Sequence, residues 1–262
     1  MEVRWEYLTP TDFKALAKNE GLCVLPIGSL ERHGEHLPFG TDGLTAHEIS
    51  YRAALREPCV VFPPYWFGQL HEASCFTGTI NFSTTLLLQV LETVLDQIAN
   101  NGFKKILMIN GHGGNNNFLQ YFAMSQCERE VDYTLYISPA RGERSKLIKW
   151  ETEGGHADEL ETSFMMAIAP EAIKMEYHKY AEPILPKYDT SLLGYTGYWW
   201  YAKYPEHIAG TPSKATAEKG EKAMEAAVQD TADLIRRVKE DTLVPKLQQE
   251  FYARYRRVKN AE

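Results

Sequence analysis

Four short runs that are apolar almost throughout constrain this chain more than any other feature: Leu22 to Ile27 (LCVLPI), Cys59 to Pro63 (CVVFP), Lys105 to Ile109 (KILMI) and Tyr133 to Ser138 (YTLYIS). A half-solvated strand alternates apolar with polar residues, whereas a strand apolar on both sides needs cover on both. Helical patterns lie before and between these runs, at Pro10 to Lys18, Leu44 to Leu55, Thr84 to Asn101 and Asn116 to Arg129. The third opens on a Ser83 or Thr84 cap and stops before Gly102. Strands separated by helices in this way predict an α/β fold with a mainly parallel sheet covered on both sides. A short helix over Glu159 to Ala169, a long one from about Ala215 to Glu240 and a last one within Lys246 to Val258 follow. Between them, Tyr177 to Pro212 reads as a loop region rich in aromatics (YTGYWWYAKY), more simply core or subunit interface than a lid over a substrate.

With 262 residues, 44% hydrophobic and 24% charged, the chain is read as one domain spanning 1–262. No internal repeat or linker interrupts it. The opening MEVRWEYLTPTDFK carries charges throughout and has no signal-peptide core, so the expected location is the cytoplasm. No apolar run approaches the roughly 20 residues of a membrane span. A formal net charge of −7 argues against a general affinity for nucleic acid, which needs a basic surface. Cys23, Cys59, Cys75 and Cys127 form no C-x-x-C pair and are expected to be reduced core residues.

Chemistry concentrates in three glycine-containing polar segments, two of them directly behind strands, where a parallel sheet leaves its ligand crevice. Pro26 to Gly43 (PIGSLERHGEHLPFGTDG) carries Glu31, His33, His36 and Asp42; Ile109 to Asn115 (INGHGGN) carries His112; Gly154 to Ser163 (GGHADELETS) carries His156, Asp158, Glu159 and Glu161. Imidazole nitrogens with carboxylate oxygens are the ligands that Zn²⁺, Mn²⁺ and Fe²⁺ take, and one carboxylate can span two ions. Glu31 and His33, two apart in extended backbone, project to one side. Taken jointly, Glu31, His33, Asp42 and His112 read as a metal site. His36, His71, His178 and His207 read instead as solvated or hydrogen-bonded side chains, and Asp158 and Glu159 as charges at a helix N-terminus.

Together, in this order and spacing, the three segments resemble those of the creatininase family of metal-dependent amidohydrolases. Here the family's stretches stand as Pro26 to Asp42, Asn110 to Asn115 and His156 to Ser163. The resemblance implies a three-layer α/β/α sandwich, often assembled into homo-oligomers, hexamers among them. It implies a centre of one or two ions, Zn²⁺ or alternatively Mn²⁺ or Fe²⁺, with Glu31, His33, Asp42 and His112 as ligands and Asp42 bridging. His156 would be the catalytic or substrate-contacting histidine. Where creatinine-hydrolysing members carry a ligand Glu, two residues after the second-segment His, this chain has Gly114; Glu161 then stands in, as an oxygen ligand or as the holder of a ligand His. Tryptophans close over creatinine in such members, but Trp150, Trp199 and Trp200 have no residue-by-residue match. The implied activity is hydrolysis of a C–N amide bond in a small, sometimes cyclic, molecule by a metal-activated hydroxide, with His156 as general acid. Backbone N–H groups over Gly113 to Asn115 would meet negative charge on that molecule. Formamide or small-peptide hydrolysis, and a metal- or ligand-binding relative without catalysis, are the competing readings.

Overall fold

In the computed structural model, residues 1–179 and 182–259 are described. Residues 180 and 181 of the expected loop region, and the last three of the chain, lie outside them. The elements run α1 (Pro10–Glu20), β1 (Leu22–Ile27), α2 (Thr41–Arg56), β2 (Val60–Val61), α3 (Thr84–Asn100), β3 (Lys105–Asn110), α4 (Asn115–Ser125), β4 (Thr134–Pro139), α5 (Glu159–Ile168), α6 (Trp199–Lys203), α7 (Ala217–Glu240) and α8 (Leu243–Lys259), with short 3₁₀ turns between.

The sheet has the order β2-β1-β3-β4, every pairing parallel. All six residues of β1 are buried, as are five of six in β3, which accounts for runs without polar alternation. The chain steps from β1 to β2 in one direction and from β2 past β1 to β3 and β4 in the other. Right-handed crossovers therefore place α2 on one face and α3 and α4 on the other. Helix α7 packs on α2 and β3, and α5 packs on α7 and α2. This is the α/β/α arrangement expected from the alternation of strands and helices.

Local chemistry sets the helix ends. Thr9 accepts the Asp12 N–H at the start of α1 and Gly21, at φ 63°, closes it; Ser83 and Thr216 cap α3 and α7 in the same manner. Some expected boundaries move for identifiable reasons. The second strand shrinks to Val60–Val61 because Pro63 and Pro64 cannot donate to a ladder. Helix α8 begins at Leu243, ahead of Pro245, because the Asp241 carboxylate takes the Leu243 and Val244 N–H groups and a proline costs nothing in a first turn. Cys23 and Cys59 are buried thiols, but Cys75 and Cys127 are exposed, against the expectation that all four sit in the core. Both lie outside strands, where no apolar run draws them inward. Among the described residues no helix is long and apolar enough to cross a membrane.

Candidate metal centre

Every polar segment singled out in the sequence converges at the carboxyl end of the sheet. The loop after β1 brings Glu31 and His33, and His112 stands two residues beyond β3. Asp42 comes not from a loop but from the first turn of α2, which starts three residues earlier than the apolar pattern suggests. Gly28 makes that approach feasible, since a Cβ there would lie 2.3 Å from the Gly43 backbone nitrogen. From the far wall, α5 contributes Glu161, with His156 just ahead of it. Glu31, His33, Asp42, His112, His156 and Glu161 are all buried.

Their atoms form two groups that meet at Asp42. In the first, Nδ1 of His112 lies 2.9 Å from Oε1 of Glu31 and 3.0 Å from Oδ2 of Asp42. In the second, Nε2 of His33 lies 3.2 Å from Oδ1 of Asp42 and 3.6 Å from Oε2 of Glu161, and Nδ1 of His156 lies 3.9 Å from that same Glu161 oxygen. The opposite ring nitrogens define the tautomers. Nε2 of His112 donates to the Gln69 carbonyl at 2.8 Å, Nδ1 of His33 to the Glu31 carbonyl at 3.2 Å, and Nε2 of His156 to the Arg32 carbonyl at 2.8 Å. In each neutral ring the other nitrogen carries a lone pair, and all three lone pairs point at carboxylate oxygens. Lone pairs facing lone pairs repel unless a cation stands between them. Oε1 of Glu31, buried and without a hydrogen-bond partner, marks the same demand. Two sets, Glu31–Asp42–His112 and His33–His156–Glu161, each hold their ligand atoms within 4.8 Å of one another, and the nitrogen and oxygen donors suit a divalent ion such as Zn²⁺.

A third set of that compactness, Glu31–His156–His207, is disqualified by one bond. The indole N–H of Trp200, which can only donate, reaches Nδ1 of His207 at 2.9 Å. That proton assignment leaves the His207 hydrogen on Nε2, which donates to Oε2 of Glu31 at 2.9 Å. His207 thus orients the Glu31 carboxylate and has no lone pair to spare. Backbone strain accompanies this wall: Ala157 and His207 are the two non-glycine residues at positive φ among the described residues, at 55° and 56°. The Ala157 conformation aims its N–H at Oε2 of Glu161, 2.7 Å away.

Protons show how strongly the site calls for positive charge. Burial alone would push the His33 imidazole down, yet the Asp42 carboxylate beside it drives it up to about 10. His112 is likewise raised, Glu31 and Asp42 outweighing its burial. Asp42 falls to about 2, the neighbouring His33 and His112 overriding its burial. Burial instead dominates at Glu161, pushed up to about 7, and at His156, pushed down to about 3 with His33 adding to the fall.

The centre opens into a cavity of about 260 Å³. Trp199 and Trp200 of α6 line it, whereas Trp150 packs against the core. The aromatic stretch is therefore not core: Tyr195 and Tyr198 are 80% and 79% exposed, and its two tryptophans form a wall of the cavity. Gly114 resolves the departure noted in the second segment, because a Cβ at that position would lie 2.4 Å from Nε2 of His112 and 2.5 Å from Oε1 of Glu72. The Glu72 carboxylate, its other oxygen held by the Gln69 amide at 2.7 Å, occupies the place where a side chain at 114 would begin.

Sequence reasoning passed over Glu72 and Arg141, left Trp200 unplaced and read His207 as a solvated or hydrogen-bonded side chain, which it is, bonded to Trp200 and Glu31; all four line the cavity. Each comes from a stretch with no metal-ligand spacing of its own. Histidines read as ordinary hydrogen-bonding side chains behave so at 36 and 71: His36 bonds Thr162 at 2.9 Å, and His71 bonds Thr84 and Asn81. Asp158 caps α5 by accepting the Glu161 N–H at 3.0 Å.

A family model described as creatininase, creatinine amidohydrolase, matches residues 6–235. A 3-dehydro-scyllo-inosose hydrolase of Thermotoga maritima is 26% identical, the match covering 91% of this chain and 84% of the relative. A creatinine amidohydrolase of Pseudomonas putida is 25% identical over 87% of this chain and 94% of its own. A crystal structure of a creatinine amidohydrolase superposes over 92% of this chain and 99% of that one, with a TM-score of 0.76 at 23% identity, a likeness of fold.

Proposed function

The chain belongs to the creatininase family and is a metal-dependent hydrolase, and from that premise we propose that it cleaves a C–N amide bond of a small, cyclic molecule at a centre of two divalent ions. Glu31, Asp42 and His112 would hold one ion and His33, His156 and Glu161 the other, with the two oxygens of Asp42 available to both groups. Zn²⁺ is the first choice for these donors, with Mn²⁺ and Fe²⁺ served by the same set. The observation that carries the reading is Asp42, whose two oxygens each face a different imidazole lone pair, at 3.0 and 3.2 Å. Both curated relatives named above take their names from small ring compounds, and a cavity of about 260 Å³ has room for little more.

When bound, such ions lower the pKa of water from 15.7 to about 7 and polarise the oxygen of the scissile carbonyl. The protein's own groups orient and shuttle. His207, fixed by Trp200, holds Glu31 in place. With Nε2 of His156 donating to the Arg32 carbonyl and Nδ1 facing the Glu31 and Glu161 carboxylates, this reading moves it from proton donor to ligand. Glu72, the remaining cavity carboxylate, takes that duty by accepting a proton as the nucleophile forms and returning it to the leaving nitrogen. Trp199 and Trp200 exclude water beside it.

The test is metal analysis of the purified protein and its variants, with a panel of cyclic amides, formamides and dipeptides. Two ions per chain, fewer in His33→Ala, Asp42→Ala and His156→Ala, and turnover on a ring amide support the reading. A His156→Ala variant that keeps both ions and loses turnover roughly 10²-fold would restore the proton-donor role. Turnover confined to formamides or dipeptides would shift the substrate class, and tight binding without turnover would leave a non-catalytic relative. One domain over 1–262, a cytoplasmic location and a hexamer belong to the same reading. The exposed Leu192, Leu193 and Tyr195 support the assembly, which sedimentation checks.

A further inference from the structure

Arg141 stands two residues beyond β4, at the crevice end of the sheet, and its half-buried side chain lines the cavity in front of the donor clusters. Its setting is rigid. The preceding Ala140 N–H bonds the Asn110 carbonyl at 2.7 Å, tying this strand end to the one that carries His112. Beyond it, Arg144 bonds Asp230 through both backbone and side chain and also pairs with Asp233, pinning the loop to α7. Arg144 has thus spent its charge. Arg141 has not: it makes no hydrogen bond and no ion pair among the described residues, although Glu161 and Asp158 stand within its field. Asp158 is occupied in capping α5, and Glu161 faces the His33 and His156 rings.

A guanidinium carries five donors that water satisfies well and a closed cavity does not, so a ligand that displaces that water must supply acceptors. Charge points the same way. Four carboxylates line the cavity, those of Glu31, Asp42, Glu72 and Glu161, and two divalent ions would neutralise them, leaving the Arg141 charge in excess. We propose that Arg141 is the recognition residue for a carboxylate on the substrate, so that the molecule cleaved here is a small anionic amide rather than a neutral one. The planar fork of a guanidinium matches a carboxylate in two parallel hydrogen bonds, which fixes the rest of a small molecule relative to the metal centre. This rests on the metal-hydrolase reading above and adds a substrate class to it.

The experiment compares zinc-loaded wild type with Arg141→Gln and Arg141→Lys, using N-formylglycine and N-formylglycinamide, which share a scissile formamide and differ only in the carboxylate. Binding of the two N-acetyl counterparts is measured by calorimetry alongside, so that an answer does not require turnover. Wild type is expected to favour the carboxylate member. Arg141→Gln should weaken that member's binding roughly 10- to 100-fold while leaving the carboxamide member and the metal content unchanged. Arg141→Lys, which keeps the charge and loses the fork, should fall between. Equal loss for both members, or no preference in wild type, overturns the proposal. So does an Arg141-dependent response to inorganic phosphate without one to the carboxylates. Failure of the hydrolase reading would look different: no turnover of the formyl compounds or of any cyclic amide or dipeptide in the panel above, with the Arg141-dependent binding preference intact.

Discussion

At the scale of single residues, the centre is built from side chains whose second polar atom is already committed, which is why small changes should have separable effects. His33→Ala and Asp42→Ala each remove a donor facing a buried lone pair, so metal content and turnover should fall together; a variant that stays fully loaded would contradict the ligand assignment. Glu72 sits outside both donor groups, so Glu72→Gln should keep the metal and lower kcat by roughly 10²- to 10⁴-fold with little change in KM. Loss of metal in that variant would show that it is a ligand instead. Gly114 has the opposite character, contributing only space. In Gly114→Ala the new methyl must displace the His112 ring or the Glu72 carboxylate. A stability loss of about 1–3 kcal/mol by denaturant titration is expected, together with weaker metal retention. An unperturbed variant would mean that the close packing around His112 relaxes freely.

Between elements, the least obvious tie is Lys105, at the first position of β3, whose ammonium donates to the carbonyls of Val238, Lys239 and Asp241 at 2.8, 2.7 and 2.7 Å. These groups close the C-terminal end of α7, where unsatisfied carbonyls and the helix dipole both favour a cation. Lys105→Met should lower stability by about 1–3 kcal/mol without touching metal content, as judged by denaturant unfolding of the loaded protein. Lys105 also shows where sequence reasoning stops. The strand that begins there is legible because LCVLPI and KILMI can only be strands buried on both faces. The helices are legible through Thr9, Ser83 and Gly21, whose capping depends on neighbours a few residues away. The partnership of Lys105 with α7 spans more than 130 residues and leaves no periodic trace. Glu31, His33, Asp42 and His112 stand out, by contrast, since they fall within glycine-containing polar segments that follow strands and resemble a family. His207 and Trp200 do not: their role arises only when the 207–209 segment pairs with His156 across the fold. Asp42 was legible as a donor but not as a helical residue, because the first turn of α2 is polar and carries no apolar stripe.

For the molecule as a whole, metal, protons and stability are one linked system. His33 is raised to about 10 from an ordinary 6.5, so its protonated form stabilises the metal-free fold fully below about 6.5, and that contribution is lost as pH rises through 10. Glu161, raised to about 7 from 4.5, favours the fold in its neutral form below 4.5 and withdraws that support as pH climbs through 7. Asp42, lowered to about 2 from 3.8, works in the other sense, its contribution present above 3.8 and lost only as pH falls through 2. Between pH 6 and 9, then, the metal-free protein should lose stability steadily, with His33 and Glu161 responsible, His112 acting in the same direction and Asp42 silent. Ions held by these same donors would require them unprotonated, so binding would strengthen across that window and release protons as it does so. The two trends diverge. The gap in melting temperature between the zinc-loaded and chelator-treated protein should therefore widen from pH 6 to pH 9, and His33→Gln should flatten it. A gap that stays constant with pH in the wild type would mean that the ions do not bind where His33 and Glu161 meet.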